Sequence, residues 1–258
     1  MLRKKSFLCV GLDPDPGKMP SEYKESKTPL FDFCHDIVRW TFSYAVAFKI
    51  NVAFFESHGP AGWQQLEKLI SIIPDENLII LDAKRADIGN TSDQYAKYFF
   101  DTLQVDAVTL HPYMGKDSLD PFFKYPGKWA VILALTSNPG SADLELQAML
   151  TGELLYQRVL KLYGSDGTEQ FVMFVCGATH PSLFQDIRNI CPNHFLLVPG
   201  VGAQGGDLHE TIKAGKNAAG GLLINVSRGI CYPKITTQFK SDVIAQAAYY
   251  QQEMAPYF

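Results

Sequence analysis

Long apolar runs are missing from this chain. The longest, WAVILAL at 129–135, falls far below the roughly 18–20 residues that a membrane-spanning helix needs. An excess of basic residues is missing too: 23 Lys and Arg stand against 27 Asp and Glu, a formal charge of −4. No global positive field exists to hold a nucleic-acid backbone or an anionic membrane, so any basic site has to be local. Cysteines are few. Cys9, Cys34, Cys176, Cys191 and Cys231 are scattered and odd in number, which argues against a disulfide framework and fits a reducing cytoplasm. The opening MLRKKSFLCVGLD imitates a secretory signal, but its apolar run stops at Asp13 after about six residues, short of a 7–15-residue signal core. Low-complexity tracts, Ser/Gly linkers and long charge blocks are absent, so residues 1–258 are read as one domain. The serine-nucleophile pattern G-x-S-x-G is lacking as well, which leaves hydrolase chemistry of that type without support.

What is present is repetition. Eight short apolar runs recur: FLCVGL, YAVAF, NLIIL, DAVTL, WAVILAL, FVMFV, FLLV and GLLINV. They are brief and largely non-alternating, the pattern of strands buried on both faces of a parallel sheet. Segments of helical period lie between and after them: LFDFCHDIVRWTFS, GWQQLEKLISII, NTSDQYAKYFFDTL, KDSLDPFFKY, GELLYQRVLKLY, HPSLFQDIRNI, DLHETIKAGKNAA and SDVIAQAAYYQQ. Eight βα units in about 250 residues is the size of a closed (β/α)8 TIM barrel, whose chemistry sits at the C-terminal strand ends. Several of those ends carry polar residues: Asp13, Lys49, Asp82 with Lys84, His111, Ser137 and Arg228.

LIILDAKRADIGNT, residues 78–91, is the most informative stretch. Period-two alternation puts Asp82 and Lys84 on the same side of the third strand, toward the barrel mouth. Lys49, in FKIN at the end of the second strand, becomes their neighbour. Two lysines around one carboxylate hold Asp82 ionised, and the carboxylate keeps Lys84 an ammonium able to give a proton. Asp87 lies beyond the strand, with Thr91 a helical turn further. At this point two readings of the array stand: a structural ion-pair network at a barrel rim, and a catalytic site.

VPGVGAQGGD, residues 198–207, contains G-x-G-x-x-G at Gly200, Gly202 and Gly205. A dinucleotide-binding fingerprint would need an acidic residue about 20 positions on, where the chain reads LLINVSRG. A barrel accounts for the loop better, because the loops after strands seven and eight form its common phosphate site. Glycines such as Gly202 let backbone N–H groups approach the oxygens, Gln204 adds a donor, and Arg228 offers a fork for a dianion. The histidines, Cys191-Pro-Asn-His194 included, lack the convergent spacing of a metal site.

Taken together, FKINVAFFESHG, LDAKRADIGNT, TLHPYMG, LTSNPGS, PGVGAQGGD and SRG resemble the orotidine 5′-monophosphate decarboxylases, over most of the chain. The pair D-x-K-x-x-D-I-G-x-T and P-G-V-G-A-Q-G-G is the specific part. The resemblance implies a barrel without metal or organic cofactor that converts orotidine monophosphate to uridine monophosphate and CO2 in de novo pyrimidine biosynthesis. It makes Lys49, Asp82, Lys84 and Asp87 the alternating catalytic array, with Lys84 as proton donor to C6. It further implies a homodimer with shared sites, in which Asp87, Ile88 and Thr91 serve the partner's site. Asp13 corresponds to a ribose contact, Ser137 to the reader of the pyrimidine amide edge, and Gly202, Gln204 and Arg228 to the phosphate grip. Many members end strand eight with G-R-S where this chain has Ser227-Arg228-Gly229. The segment 141–167 exceeds a minimal crossover, as in a divergent, type 2-like subfamily of bacterial style, and receives no catalytic role. A related barrel with D-x-K-x-x-D acts on sugar phosphates through a metal-held enediolate, and activity that survives EDTA separates the two.

Overall fold

The short apolar runs become eight strands in the computed structural model, which describes residues 1–202, 204–234 and 238–258. They are β1 (Leu8–Leu12), β2 (Ala47–Asn51), β3 (Leu78–Arg85), β4 (Ala107–Leu110), β5 (Trp129–Leu135), β6 (Val172–Cys176), β7 (Phe195–Pro199) and β8 (Leu222–Val226). Their order is that of a closed barrel, β1 through β8 in sequence, the eight-stranded architecture read from the repeat. Residues cluster into two compact units, Met1–Ala83 with Asn225–Phe258, and Lys84–Ile224. Both divisions fall inside strands rather than in linkers.

In the first unit β1 pairs with β2 and β2 with β3, all parallel, with Gly11 opposite Lys49 and Asn51 opposite Asp82. Every residue of β1 is buried, as an apolar run covered on both faces requires. The helix Pro29–Thr41 opens on a proline, whose fixed φ suits a first helical position, and buries Leu30, Phe33, Cys34, Ile37 and Thr41. Those spacings form one apolar stripe. Phe33 stacks on Tyr232 with ring centroids 5.4 Å apart and meets Phe239 of the C-terminal helix Phe239–Met254 at 6.1 Å. Gly11 allows close approach: a Cβ there would lie 2.7 Å from Ser227 Cβ.

The second unit carries the parallel pairs β4–β5, β5–β6 and β6–β7, with a register shift between Leu133 and Leu135. Its helices include Gly89–Lys97, which runs into a π-helical turn at Tyr98–Thr102, then Leu155–Tyr163, Phe184–Ile190 and Leu208–Gly215. Asp207 caps the last of these, its Oδ1 accepting the Glu210 N–H at 2.7 Å, the ordinary role of Asp at a helix start. Buried Arg188 donates to the carbonyls of Gly215, Cys191, His194 and Gly221. A guanidinium surrounded by carbonyls satisfies its donors without a carboxylate partner.

One expected helix does not form. KDSLDPFFKY is two 3-10 turns, Lys116–Ser118 and Asp120–Lys124. Pro121 has no N–H and disfavours helical geometry in the residue before it, so an α-helical ladder cannot run through the segment. All five cysteines are free and buried. Among the described residues, no helix is long and apolar enough to cross a membrane.

Candidate active site

Lys49 and Asp82 meet in the first unit. Lys49 Nζ donates to Asp82 Oδ2 at 2.6 Å, and the two side chains are 7% and 11% exposed. β2 and β3 run side by side in register, which brings a lysine and an aspartate two rungs apart within reach. Burial is the largest influence on Lys49 and works against its charge, but the carboxylates of Asp82 and Asp13 outweigh it and hold the ammonium above the ordinary lysine range. Beneath them, burial pushes the Cys9 thiol up to about 12. It stays neutral, with Sγ 3.8 Å from Asn225 Oδ1.

Asp13 follows β1 directly. Ser227 Oγ donates to its Oδ2, and Tyr232 Oη donates to its backbone carbonyl at 2.7 Å while accepting the Asp15 N–H at 2.7 Å. Asp13 Oδ1 is buried without a hydrogen-bond partner among the described residues, an arrangement that favours a donor from outside the chain. Arg228 opens the short helix Arg228–Cys231 after β8 and is exposed. Ser227, read from sequence only as a departure from G-R-S, is thus the orienter of Asp13. Nothing in the sequence pairs positions 214 residues apart.

In the second unit, Lys84 ends the regular course of β3. Its φ is +48°, a left-handed conformation that L-residues with a Cβ adopt at a cost. The alternation that put Asp82 and Lys84 on one side assumes an unbroken pleat, and the pleat is broken at Lys84. The Lys84 N–H donates to Thr109 Oγ1 at 2.9 Å, and the His111 N–H donates to the Arg85 carbonyl at 3.0 Å. Three residues after Lys84, Asp87 precedes the helix Gly89–Lys97, whose N-cap is Ile88. Its Oδ1 accepts the Ile88 N–H at 2.8 Å, and its carbonyl accepts from Ser92 Oγ at 2.8 Å. Ile88 is 60% exposed, and Thr91, half-buried, donates its N–H to the Ile88 carbonyl at 3.0 Å.

The glycine loop after β7 brings Ser137 and Gln204 together. A Cβ on Gly200 would lie 2.9 Å from Gln204 Oε1 and 3.6 Å from Ser137 Oγ, so both side chains flank that glycine. Gly200, Gly202 and Gly205 all have positive φ, at +99°, +71° and +88°, which explains the glycines. The Gly202 N–H donates to the Gly206 carbonyl at 3.0 Å, and the Gly206 N–H to Gly200 at 3.1 Å. The Gly202 amide therefore closes the loop on itself. Ala203 of the same motif lies outside the described residues.

Glu145, which sequence reasoning passed over, grips the chain just before Ser137. Its carboxylate accepts the Thr136 N–H at 2.6 Å and Thr136 Oγ1 at 2.8 Å. A cavity of about 580 Å3 in this unit is lined by Lys84, His111, Tyr113, Leu144, Glu145 and Arg158 among others. The unassigned 141–167 segment is one of its walls. No group of three or more His, Cys, Asp or Glu able to hold a metal ion occurs among the described residues.

The profile of the "Orotidine 5'-phosphate decarboxylase / HUMPS family" matches residues 6–234. The chain belongs to the orotidine 5′-phosphate decarboxylase family. It is 49% identical over 256 residues to orotidine 5′-phosphate decarboxylase of Bacteroides fragilis (strain YCH46), covering 98% of this chain and 93% of that protein. The same-named protein of Flavobacterium johnsoniae is 48% identical, over 99% and 94%. Among solved structures, Leishmania donovani OMP decarboxylase superposes with a TM-score of 0.85 at 36% identity, covering 98% of this chain and 94% of that one. Leishmania donovani UMP synthase gives 0.87 at 38%, and there the chain covers 97% of itself but only 53% of the longer protein. The decarboxylase family's reaction is loss of CO2 from orotidine monophosphate to give uridine monophosphate in pyrimidine biosynthesis, a carboxy-lyase activity.

Proposed function

We propose that this decarboxylase works with Lys84 as the proton donor to C6, in an array with Lys49, Asp82 and Asp87, and without metal or organic cofactor. The observation that carries the reading is the buried Lys49–Asp82 pair at 2.6 Å. Burying two charges is costly unless they are paired and in use, and Asp82 sits on the strand that two residues later presents Lys84. Losing CO2 from C6 leaves an electron pair in the plane of the pyrimidine ring, where the π-system cannot spread it. Acceleration at the upper end for enzymes, about 10¹⁷-fold, corresponds to about 23 kcal/mol, so stabilisation must be specific to that charge. The C6–carboxylate bond breaks, the pair remains on C6, and the Lys84 ammonium first stabilises it and then protonates it. Lys84 is exposed and recovers its proton from water.

The remaining residues bind. Asp13 Oδ1, buried and without a hydrogen-bond partner among the described residues, accepts from a ribose hydroxyl. Ser137 reads the pyrimidine amide edge, and Gln204, Arg228 and the glycine loop hold the phosphate. The Gly202 amide, already engaged with Gly206, contributes loop shape rather than a donor. We further propose a cytoplasmic homodimer, with residues 1–258 acting as one domain and with Asp87, Ile88 and Thr91 completing the partner's site. Ile88 at 60%, Tyr113 at 78% and Leu144 at 57% exposure give this chain apolar side chains for a second copy to cover.

The deciding assay follows loss of orotidine monophosphate absorbance with EDTA present. Wild-type protein is expected to turn over undiminished, whereas Lys84→Ala is expected to lose turnover and still bind nucleotide. Wild-type-like kcat in Lys84→Ala removes Lys84 from the mechanism.

A further inference from the structure

The left-handed backbone at Lys84 needs a cause. Among the described residues, only Lys5, Lys84 and Gln104 are non-glycine positions with positive φ. Lys5 and Gln104 lie in turns and loops before β1 and β4, while Lys84 lies inside a strand. A strand residue forced into this region stores strain of about 1–3 kcal/mol and persists only where its surroundings over-determine it.

The surroundings come from β4. Thr109 is the third residue of that strand and 1% exposed. A valine would fill the same strand position with an equally favourable β-branched side chain, so a buried hydroxyl there calls for a partner. Thr109 Oγ1 accepts the Lys84 N–H at 2.9 Å, and one residue on, the Arg85 carbonyl accepts the His111 N–H at 3.0 Å. The chain is tied at Lys84 to β4 itself and at Arg85 to His111, the residue that follows β4. Lys84 and His111 then line the same cavity.

We infer that Thr109 is a positioning residue for Lys84: its buried hydroxyl holds the strained backbone that aims the ammonium at the substrate. The inference rests on Lys84 being the proton donor. Proton transfer to a short-lived carbanion is sensitive to misplacement, and a displacement of about 1 Å costs on the order of a hundredfold. Ground-state binding, carried by ribose and phosphate contacts elsewhere in the chain, is insulated from that loss.

Thr109→Val removes the acceptor and keeps the branched shape, whereas Thr109→Ser keeps the hydroxyl. Thr109→Ala removes the acceptor with a smaller side chain, should the valine variant not fold. The expected result is a kcat lowered on the order of tenfold to a hundredfold in Val and Ala, with KM and the dissociation constant for uridine monophosphate close to wild type. Ser is expected to retain nearly all of kcat. Wild-type kcat in Thr109→Val, or an equal loss in Thr109→Ser, overturns the positioning role. A change confined to KM or nucleotide affinity overturns it too. Lys84→Ala measured alongside keeps the two claims apart: if that variant is dead while Thr109→Val is fully active, only the positioning role falls, and if it is fully active, the proton-donor reading falls first.

Discussion

Replacing Lys84 by glycine and, separately, by alanine removes the ammonium in both cases and leaves one difference, the Cβ. In an ordinary strand that difference favours alanine by about 0.5–1 kcal/mol, because glycine loses more backbone freedom on folding. At φ +48° the sign reverses. The Cβ of an L-residue crowds the following carbonyl in the left-handed region at a cost of about 1–2 kcal/mol, which glycine does not meet. Setting the two effects against each other leaves Lys84→Gly ahead of Lys84→Ala by about 1 kcal/mol. For a chain of this size that is about 2–4 °C in melting midpoint and roughly a fivefold change in the folding equilibrium. Paired thermal and urea melts at one protein concentration measure it, since association makes midpoints concentration-dependent. Both variants lack the lysine, so lost side-chain contacts cancel. If Lys84→Ala melts higher than Lys84→Gly, position 84 is an ordinary strand residue and the strain argument fails, taking the role of Thr109 with it.

Lys49→Ala breaks the buried Lys49–Asp82 pair and is expected to lower stability in urea unfolding. The folded-state pKa of Lys49 is raised, so the pair's contribution is complete below the unfolded lysine value near 10.4. It is lost as pH climbs from there through the folded value. The stability difference between wild type and Lys49→Ala should therefore be constant from pH 7 to pH 9 and shrink above about 10.4; shrinkage on acidification instead would contradict it. Arg228→Ala should lower kcat/KM for orotidine monophosphate by about tenfold to a hundredfold, matching a charge-assisted bond of about 1.5–3 kcal/mol. Turnover of phosphate-free orotidine should be untouched, and equal losses on both substrates would argue against a phosphate contact. Mixing inactive Asp87→Ala with inactive Lys84→Ala should restore part of the activity through hybrid dimers; no recovery after demonstrated subunit exchange means a site complete within one chain.

The barrel was legible because strands covered on both faces must be apolar throughout, and runs such as FLCVGL and WAVILAL contain little else. The Lys49–Asp82 pair was legible for a related reason: consecutive strands of such a barrel are neighbours, so charges at their ends meet. KDSLDPFFKY misled because its apolar spacing is helical while Pro121 forbids the ladder, and the proline is the stronger constraint. The bend at Lys84 left no trace in the sequence, since left-handed positions announce themselves through glycine or asparagine and lysine is neither. Ser227 on Asp13 and Glu145 on Thr136 are contacts across loops, where hydrogen-bond partners are set by the path of the folded chain and no periodicity encodes them.

The burial of all five free thiols gives the molecule a built-in clock. Burial keeps each of them protonated, and a thiol reagent attacks only the thiolate. Modification by such a reagent in native buffer therefore has to wait for the chain to open, and its slow phase counts opening events without any introduced label. Because Cys9, Cys34 and Cys231 belong to one compact unit and Cys176 and Cys191 to the other, identifying which sulfur reacts first would show which of the two opens first.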